Sequence, residues 1–458
     1  MPAPSIRRFS FRAPWVIFWT GFAVRVACIL IGHTYRIHTI DDHWDFGYEA
    51  GRIARSVIEG HGYSSPFNGP SGPSAWLPPL FPLLLVLAFK LFGVYTKGAA
   101  IFIMVCNSAF SAAIAPAVYE IAARCFDAYG LGRRTSTKAA PVALWSGWLW
   151  ALYPAAIQFA IHWLWDMSLT TALFTWAFVF ALRLRRIGEA EEVESRPRRN
   201  LWLWAGFGLL WGLAGLSNAS LLICLPVWIL WIPWGGRKQE IGNSKQETAN
   251  SRSIGGAVLA CFVFAVTMMP WVVRNERVFH TFVPTRSNLG VELYQSMLPE
   301  NDALPWGTSL PKWPGDPEFQ RFVRMGEVSY GRAKNEEAKA LIHAYPGVFL
   351  SRTVDRFLYF WDGTPHPPGR HPIEEYLRLL NYSALSACGL LGLLLALKRR
   401  VPAAWLITLT FLLVPLPYYL VVVRARFRHP LEPFITLLVV YLFRSTQSRA
   451  ERQQKVEQ

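Results

Sequence analysis

Carboxylates are crowded into one short stretch of the chain, where Asp41, Asp42, Asp45 and Glu49 stand just before an amphipathic helical pattern that runs to Gly60. Capping a helix uses one or two polar side chains, so the group holds more acids than capping requires. A partly buried carboxylate can act as a general base, which takes the proton from an attacking hydroxyl group. Helix capping or surface charge remains the alternative for each acid taken singly.

A second acidic position is Asp166, in the sequence "FAIHWLWDMSLTTALF" at the turn between two apolar runs. A charged side chain at the centre of a bilayer costs roughly 2.5–3.5 kcal/mol, so this carboxylate is expected to face a polar cavity at the end of its helix. The alternative is that Asp166 only caps that helix. His162, nearby, is better explained as an interfacial or hydrogen-bonded residue than as a metal ligand.

Basic side chains near two other apolar runs are candidates for binding a phosphate. Arginine presents a fork of donors that matches phosphate oxygens, and this pairing is strong at the level of the lipid. The alternative is that these side chains extend to anionic lipid headgroups, which would leave each of them accessible to solvent or headgroups. The candidates are Arg424, Arg426, Arg428 and His429 in "VVVRARFRHPLEPF", together with Arg274 and Arg286.

The elements that position these residues are membrane helices. The chain is 52% hydrophobic and 15% aromatic, and a helix that crosses a bilayer needs about 20 mostly apolar residues. One further apolar run, 77–93, is interrupted by prolines and predicts an interfacial helix that does not cross. The composition therefore predicts an all-α polytopic membrane protein of about ten spans, at 13–32, 99–123, 139–158, 167–183, 201–217, 219–234, 254–272, 381–397, 401–423 and 431–443.

Basic residues orient these spans, because short loops rich in Lys and Arg stay in the cytoplasm. With 77–93 not crossing, the short basic loops all fall on the cytoplasmic side, together with both termini. Residues 33–98 then form a first exported loop and residues 273–380 a second, larger one with amphipathic helices. The predicted parts are an N-terminal membrane module 1–272, the exported loop 273–380, and C-terminal membrane helices with a cytoplasmic tail, 381–458. This topology accounts for most of the net charge of +16, so no nucleic acid partner is inferred.

The large exported loop is expected to cover the site. Its stretch 316–361 predicts amphipathic helices rather than an independent domain, and their apolar faces would form a lid. The residues of those faces are Phe319, Phe322, Val323, Ala338, Leu341, Ile342, Phe357 and Leu358.

Three features in this order resemble the GT-C glycosyltransferases: an exported acidic loop after the first span, the turn "GHGY" that ends an amphipathic helix, and the interfacial sequence "PPLFPLLL" followed by "FG". The sequence is most similar to the dolichyl-phosphate-mannose protein mannosyltransferase-like family of bacteria, which is related to the aminoarabinose transferases. The resemblance implies a GT-C-like helical bundle in the inner membrane. It also implies transfer of a sugar from a polyprenyl-phosphate donor to a lipid, glycan or protein acceptor on the outer face.

The resemblance also assigns roles to residues. Spacing from Gly60 places the family's catalytic carboxylate at Asp45, but the usual Asp-Glu pair is absent, so Glu49 and Asp42 stay alternatives. Asp166 matches a second acidic position of the family. In the implied reaction the carboxylate deprotonates the acceptor, the arginines stabilise the departing phosphate, and a single displacement inverts the anomeric centre.

Other classes of protein are less well supported. The sequence has no Walker-type or other nucleotide-binding motif and no HExxH zinc motif; a divalent metal is possible but not indicated. A secondary transporter would need charged residues within the spans and two matched halves with broken helices. Arg25 is nearly the only charged residue within the predicted spans, and the sequence shows no matched halves. A non-catalytic envelope assembly protein remains the main alternative, although it has no need of the exported acids.

Overall fold

The structure is a computed structural model that describes residues 12–37, 46–131, 142–189, 197–233, 243–301, 310–311, 314–366 and 372–457. The secondary structure of this part is helical. On the N-terminal side the α-helices are α1 Arg12–Gly32, α2 Glu49–Ile58, α3 Leu80–Phe92, α4 Lys97–Ala122, α5 Val142–Leu152, α6 Pro154–Ile161, α7 Met167–Leu184, α8 Pro197–Ser217, α9 Leu225–Trp231 and α10 Asn243–Phe279.

The remaining helices belong to the predicted exported loop and the C-terminal part. They are α11 Leu289–Gln295, α12 Pro317–Met325, α13 Glu327–Ala344, α14 Pro346–Asp362, α15 Pro372–Lys398, α16 Ala404–Leu413, α17 Leu416–Leu420 and α18 Glu432–Glu457. A 3₁₀ helix, Ala425–Leu431, leads directly into α18.

Within the described residues, five helices are long and apolar enough to cross a membrane, as expected of a membrane protein: Pro14–Gly32, Lys97–Asp127, Met167–Leu184, Ile254–Phe279 and Pro372–Lys398. Other predicted spans are interrupted. The 139–158 run divides into α5 and α6 at Pro154, and the 401–423 run divides into α16 and α17 at Pro415. Proline lacks an N–H group and so breaks the helical hydrogen-bond pattern. Ten full spans therefore remain a prediction.

The segment predicted as the first exported loop, residues 33–98, is anchored by packing. Ile53 and Ala54 of α2 are fully buried, and the apolar face of α2 meets a cluster that includes Leu85 of α3 and Ile103 of α4. Gly60 follows α2 with a φ of +86°, which favours glycine and ends the helix. At 13 residues, α3 is about 20 Å long. This length is too short for a bilayer core of about 30 Å.

Small residues let the long helices approach closely. A Cβ atom added to Gly208 of α8 would lie 2.3 Å from the Ala260 carbonyl oxygen of α10, and one turn later a Cβ atom on Gly212 would lie 2.6 Å from the Thr267 side chain. Glycines four residues apart are typical of membrane helix pairs, where close van der Waals packing supplies the attraction. The pair α15 and α18 repeats this arrangement, with Gly392 against Leu438.

Arg25 of α1 is fully buried inside this bundle. Its guanidinium donates to the Ser111 hydroxyl at 3.1 Å and to the carbonyl oxygens of Gly21 and Ala151 at 2.9 and 2.8 Å. These bonds compensate a charge that lipid could not solvate. Arg25 therefore joins α1 to the neighbouring helices.

The helices of the second predicted exported loop cover the first predicted exported loop only in part. Phe322 of α12 is buried against Phe67 and Trp76 of the first loop, with ring centroids 5.1 and 6.3 Å apart. The predicted lid face was wrong at three positions, because Val323, Phe357 and Leu358 are 46%, 48% and 47% exposed. The helices α12 and α14 turn these side chains outward.

Candidate functional site

Asp166 precedes α7 without capping it. Its carboxylate accepts no hydrogen bond from the first backbone N–H groups of the helix. It accepts instead from the Thr170 hydroxyl at 3.0 Å, and Thr170 shares a second hydrogen bond of 2.6 Å with Ser217 at the end of α8. The capping alternative is therefore wrong for this residue. Two helices orient the Asp166 carboxylate.

Arg426 lies beside this turn. Its guanidinium carbon is 3.7 Å from the centroid of the Trp165 ring, and its Nε atom is buried without a hydrogen-bond partner. Burial, followed by the like charge of Arg424, lowers the pKa of Arg426 to about 9, whereas the carboxylates of Asp166, Glu49 and Glu292 oppose this shift. Three acids from three separate segments thus act on one guanidinium.

Asp166 responds to the same group of charges. Burial raises the pKa of its carboxyl, while the Thr170 hydrogen bond and the charges of Arg426 and Arg286 act against that rise. Asp166, Arg426 and Arg286 are all only partly buried. Side chains that are desolvated and still partly accessible lie at a half-buried surface, here called the recess, rather than in a closed core. The recess therefore holds carboxylates and guanidinium groups that affect one another's ionisation.

Glu49 reaches this recess because the first exported loop lies against the turn before Asp166. Gly47 has a φ of +87°, and a Cβ atom added there would lie 2.5 Å from the Leu164 carbonyl oxygen. Only glycine allows this approach. Phe46 is buried beside Phe89. The predicted acids Asp42 and Asp45 lie outside the described residues, immediately before this anchored point.

Arg286 contributes from the segment after α10. Its Nε atom donates to the Trp76 carbonyl oxygen at 3.3 Å, and its charge acts on Asp166 and on Tyr418. It also lines a cleft of about 280 Å³ between this segment and α13. The other residues that line the cleft are Thr281, Phe282, Val283, Pro284, Ser287, Leu289, Gly290, Val328, Gly331, Arg332 and Asn335.

Arg274 is engaged elsewhere. Its guanidinium donates to the carbonyl oxygens of Ser74 and Tyr63 at 2.6 and 2.7 Å and to the Asn275 side chain at 2.9 Å. These bonds tie the end of α10 to the first exported loop. Arg274 thus supports the loop beside the recess, and its predicted contact with a phosphate has no geometric support among these bonds.

Arg428 and His429 face away from the recess into a buried polar network. Arg428 is 1% exposed and donates to the Trp361 carbonyl oxygen and the Ser386 hydroxyl at 2.8 and 2.7 Å. It also pairs with Glu432, and His429 Nδ1 lies 3.3 Å from the same carboxylate. The expectation that Arg428 reaches solvent or headgroups was wrong. The 3₁₀ helix turns alternate arginines to opposite sides.

Several residues of the site carry no signal in the sequence. Glu292 acts on Arg426 from α11, and the Asn218 amide donates to the Tyr418 hydroxyl at 3.3 Å from a point 200 residues away. Pairings across such separations leave no local pattern. Among the residues that the structure describes, no three His, Cys, Asp or Glu side chains converge as metal ligands.

Solved structures of archaeal oligosaccharyltransferase share this architecture. The apo crystal structure of the Archaeoglobus fulgidus oligosaccharyltransferase aligns with 98% of this chain and 52% of that chain, with a TM-score of 0.56 and 13% identity. Its complex with Zn and sulfate aligns with 96% and 49%, with a TM-score of 0.54 and 13% identity. The complex of AglB from the same organism with an inhibitory peptide and a dolichol-phosphate aligns with 98% and 52%, with a TM-score of 0.51 and 14% identity.

No family model and no curated protein sequence matches the chain, and the chain spans about half the length of the structures it resembles. At this level of identity the similarity establishes the fold. The predicted all-α membrane architecture is therefore confirmed, and its assignment to the GT-C glycosyltransferases stays a prediction. The narrower mannosyltransferase-like or aminoarabinose transferase-like family remains a prediction. The described part of the chain is helical, has the long apolar helices of a membrane protein and shares its fold with the archaeal oligosaccharyltransferase.

Proposed function

We propose that this protein is a glycosyltransferase of the inner membrane that moves a sugar from a polyprenyl-phosphate donor to an acceptor on the outer face. The observation that carries the proposal is the stacking of the Arg426 guanidinium on Trp165, directly beside the Asp166 carboxylate that Thr170 orients, with the Arg426 Nε donor buried and without a partner. A related architecture in the archaeal oligosaccharyltransferase, solved with a dolichol-phosphate, supports a lipid-phosphate donor.

The arginines would hold the donor phosphate. Arg426 is stacked on Trp165, and its Nε donor has no partner within the protein. Negative charge grows on the phosphate as the bond to the sugar breaks, so a fixed guanidinium stabilises the transition state more than the ground state. Arg286 would approach the same phosphate from the segment after α10, because the charges of both arginines act on Asp166.

A carboxylate of the recess would deprotonate the acceptor hydroxyl. The sequence favours Asp45, with Glu49 and Asp42 as alternatives. Asp166 is a further candidate because burial raises the pKa of its carboxyl. A base with a pKa closer to the working pH takes a proton more effectively in the transition state. One direct displacement of the phosphate would invert the anomeric centre, and no step of this scheme is assigned to a metal ion.

The acceptor would arrive from the cleft of about 280 Å³ beside α13. Arg286 belongs both to the lining of this cleft and to the charges that act on Asp166. An acceptor in the cleft would therefore lie next to the donor phosphate. A lipid, glycan or protein acceptor is compatible with this arrangement.

Lipid analysis of cells tests the function directly. Cells that lack the gene should accumulate a polyprenyl-phosphate sugar, measured by mass spectrometry of membrane lipid extracts, because the donor is no longer consumed. The unchanged gene should remove this species, and a gene that carries Arg426→Ala should not. Arg324→Ala, at an exposed position of α12, serves as the matched control. An unchanged lipid profile in the deletion strain would contradict the proposal.

The envelope assembly alternative predicts a different result. A non-catalytic partner would affect its envelope complex whether or not Asp166 and Arg426 keep their charges. Variants that are stably inserted but lose sugar transfer therefore favour the enzyme, whereas full complementation by Asp166→Asn combined with Arg426→Ala favours the assembly protein.

A further inference from the structure

Glu327 begins α13 and is almost fully buried, at 3% exposure. Its carboxylate accepts three hydrogen bonds: from the Ser74 hydroxyl at 2.7 Å, from the Ala75 backbone N–H at 2.6 Å and from the Ser287 hydroxyl at 2.5 Å. The first two donors lie more than 250 residues away in the chain. One carboxylate thus joins the first exported loop, the segment after α10 and α13.

The two segments that Glu327 joins are those that hold Arg286. Ser287 is the next residue in the chain, and its backbone N–H donates to the Ala75 carbonyl oxygen at 3.1 Å. Arg286 Nε donates to the carbonyl oxygen of Trp76, the residue after Ala75. Each residue of the 74–76 segment therefore either bonds to Glu327 or supports the segment that carries Arg286.

We infer that Glu327 is the positioning residue of Arg286, which it holds at the donor phosphate by fixing the 74–76 segment against Ser287. This inference rests on the proposed function, since it assigns to Arg286 the donor phosphate of that reaction. Glu327 itself touches neither the substrate nor the recess. Glu327 acts on Arg286 through two backbone segments, residues 74–76 and Ser287, which lie on either side of the guanidinium.

The three hydrogen bonds require the ionised form of the Glu327 carboxyl. All three partners donate, and a carboxylate is an acceptor of hydrogen bonds only. Burial raises the pKa of the Glu327 carboxyl, while the two serines, Ala75 and the charge of Arg274 oppose the rise. Arg274 is in turn bound to the Ser74 carbonyl oxygen. The positive charge of Arg274 therefore stands beside the segment that the carboxylate fixes.

Binding of radiolabelled undecaprenyl phosphate to the purified full-length protein tests the inference, with undecaprenol as the probe that lacks the phosphate. Arg286→Ala should weaken phosphate binding by about tenfold or more, because a charge-assisted hydrogen bond is lost. Glu327→Ala should cause a similar loss. Glu327→Gln should recover much of the affinity, since the amide oxygen can keep the Ala75 and Ser287 bonds while the Ser74 hydroxyl rotates to accept.

The double variant Glu327→Ala with Arg286→Ala distinguishes positioning from general support. If Glu327 acts through Arg286, the double variant should bind no more than about threefold more weakly than Arg286→Ala alone. Losses that multiply would overturn the inference. Binding of undecaprenol should be the same in all variants.

Two further variants test whether weak binding by Glu327→Ala is caused by a folding defect. Ser287→Ala removes a single bond to Glu327 and should weaken phosphate binding in the same direction, by about two- to fivefold. Glu318→Ala removes a carboxylate of α12 that bonds to Tyr330 and Lys334, and it should leave phosphate binding unchanged. If Glu318→Ala and Glu327→Ala weaken binding equally, Glu327 is only a structural residue and the inference is wrong.

The outcomes separate this inference from the proposed function. Weak binding by Arg286→Ala with normal binding by both Glu327→Ala and Ser287→Ala would overturn the positioning role alone. Normal binding by Arg286→Ala and by Arg426→Ala would contradict the donor site itself, and the positioning role would fall with it.

Discussion

The guanidinium carbon of Arg426 lies 3.7 Å from the centroid of the Trp165 ring, and Trp165 directly precedes Asp166. A planar guanidinium on an indole ring gains a cation–π attraction and keeps the donors at its rim directed sideways. The aromatic residue therefore fixes the cation next to the carboxylate. Neither residue could hold this geometry alone.

Arg426→Ala should weaken binding of undecaprenyl phosphate by about ten- to a hundredfold, because charge-assisted hydrogen bonds to the phosphate are lost. Arg426→Lys keeps the charge but loses the planar fork, so it should recover only part of the affinity. Equilibrium binding to purified protein measures both variants, and Arg324→Ala on α12 controls for the loss of a positive charge. Unchanged binding by Arg426→Ala would return this residue to a role in headgroup contact.

Asp166→Asn should abolish most transfer and yet raise the thermal stability at neutral pH. Burial raises the pKa of Asp166 in the folded state, so the folded protein binds the proton more tightly than the unfolded chain. Ionisation then costs stability as the pH rises from the ordinary value of an aspartate to the raised value, and the cost persists above it. Asparagine avoids this cost and can still accept the Thr170 hydrogen bond.

Thermal unfolding in detergent measures this effect, with an expected gain of about 1–3 °C at neutral pH. The gain should disappear below the ordinary pKa of an aspartate, where Asp166 is protonated in both states. A gain that is independent of pH, or a loss at neutral pH, would contradict a destabilising ionised carboxylate.

Individual replacements of the acids should identify one general base. Asp45→Asn, Glu49→Gln and Asp42→Asn, assayed for sugar transfer at equal amounts of protein, should give one variant that loses a factor of about 10² to 10⁴. Asp45 is the first expectation because of its spacing from Gly60, Glu49 the second and Asp42 the third. Near-full transfer by all three variants, with Asp166→Asn inactive, would move the base to Asp166.

Arg428→Ala should destabilise the protein rather than act on the donor. The side chains of Arg428 and Glu432 are each 1% exposed, and removing one member of a buried ion pair costs about 3–5 kcal/mol because the other charge is left uncompensated. Replacing both, as Arg428→Met with Glu432→Leu, should recover much of this loss. Lys339→Ala breaks an exposed pair with Glu336, and should change the stability by only about 0–1 kcal/mol.

Reporter fusions test the orientation on which the site depends. A fusion at Lys97 should report the outer side and a fusion at Arg134 the cytoplasm, because the 77–93 run is expected to lie in the interface. In the structure this run forms α3, which has only 13 residues. An outer-side signal at Arg134 would reverse the predicted topology from α4 onward.

The sequence by itself determined the class of the fold and the side of the membrane on which chemistry is expected. Long apolar runs with few charges and short basic loops follow directly from the free energy of placing residues in lipid, so α1, α4 and α7 could be predicted locally. The same local energy restricted Asp166 to a helix end. The acids and arginines could therefore be selected as candidates by type and position alone.

Only the tertiary structure decided which candidates meet. Arg426 and Arg428 are two residues apart in the chain, yet one stacks on Trp165 at the recess and the other is buried against Glu432. Glu327 was not among the candidates, because its donors Ser74 and Ala75 lie more than 250 residues away. Helical periodicity reports the burial of a residue's own face, whereas contact between charges depends on how distant helices and loops pack. That packing energy is spread over the whole bundle and leaves no local pattern in the sequence.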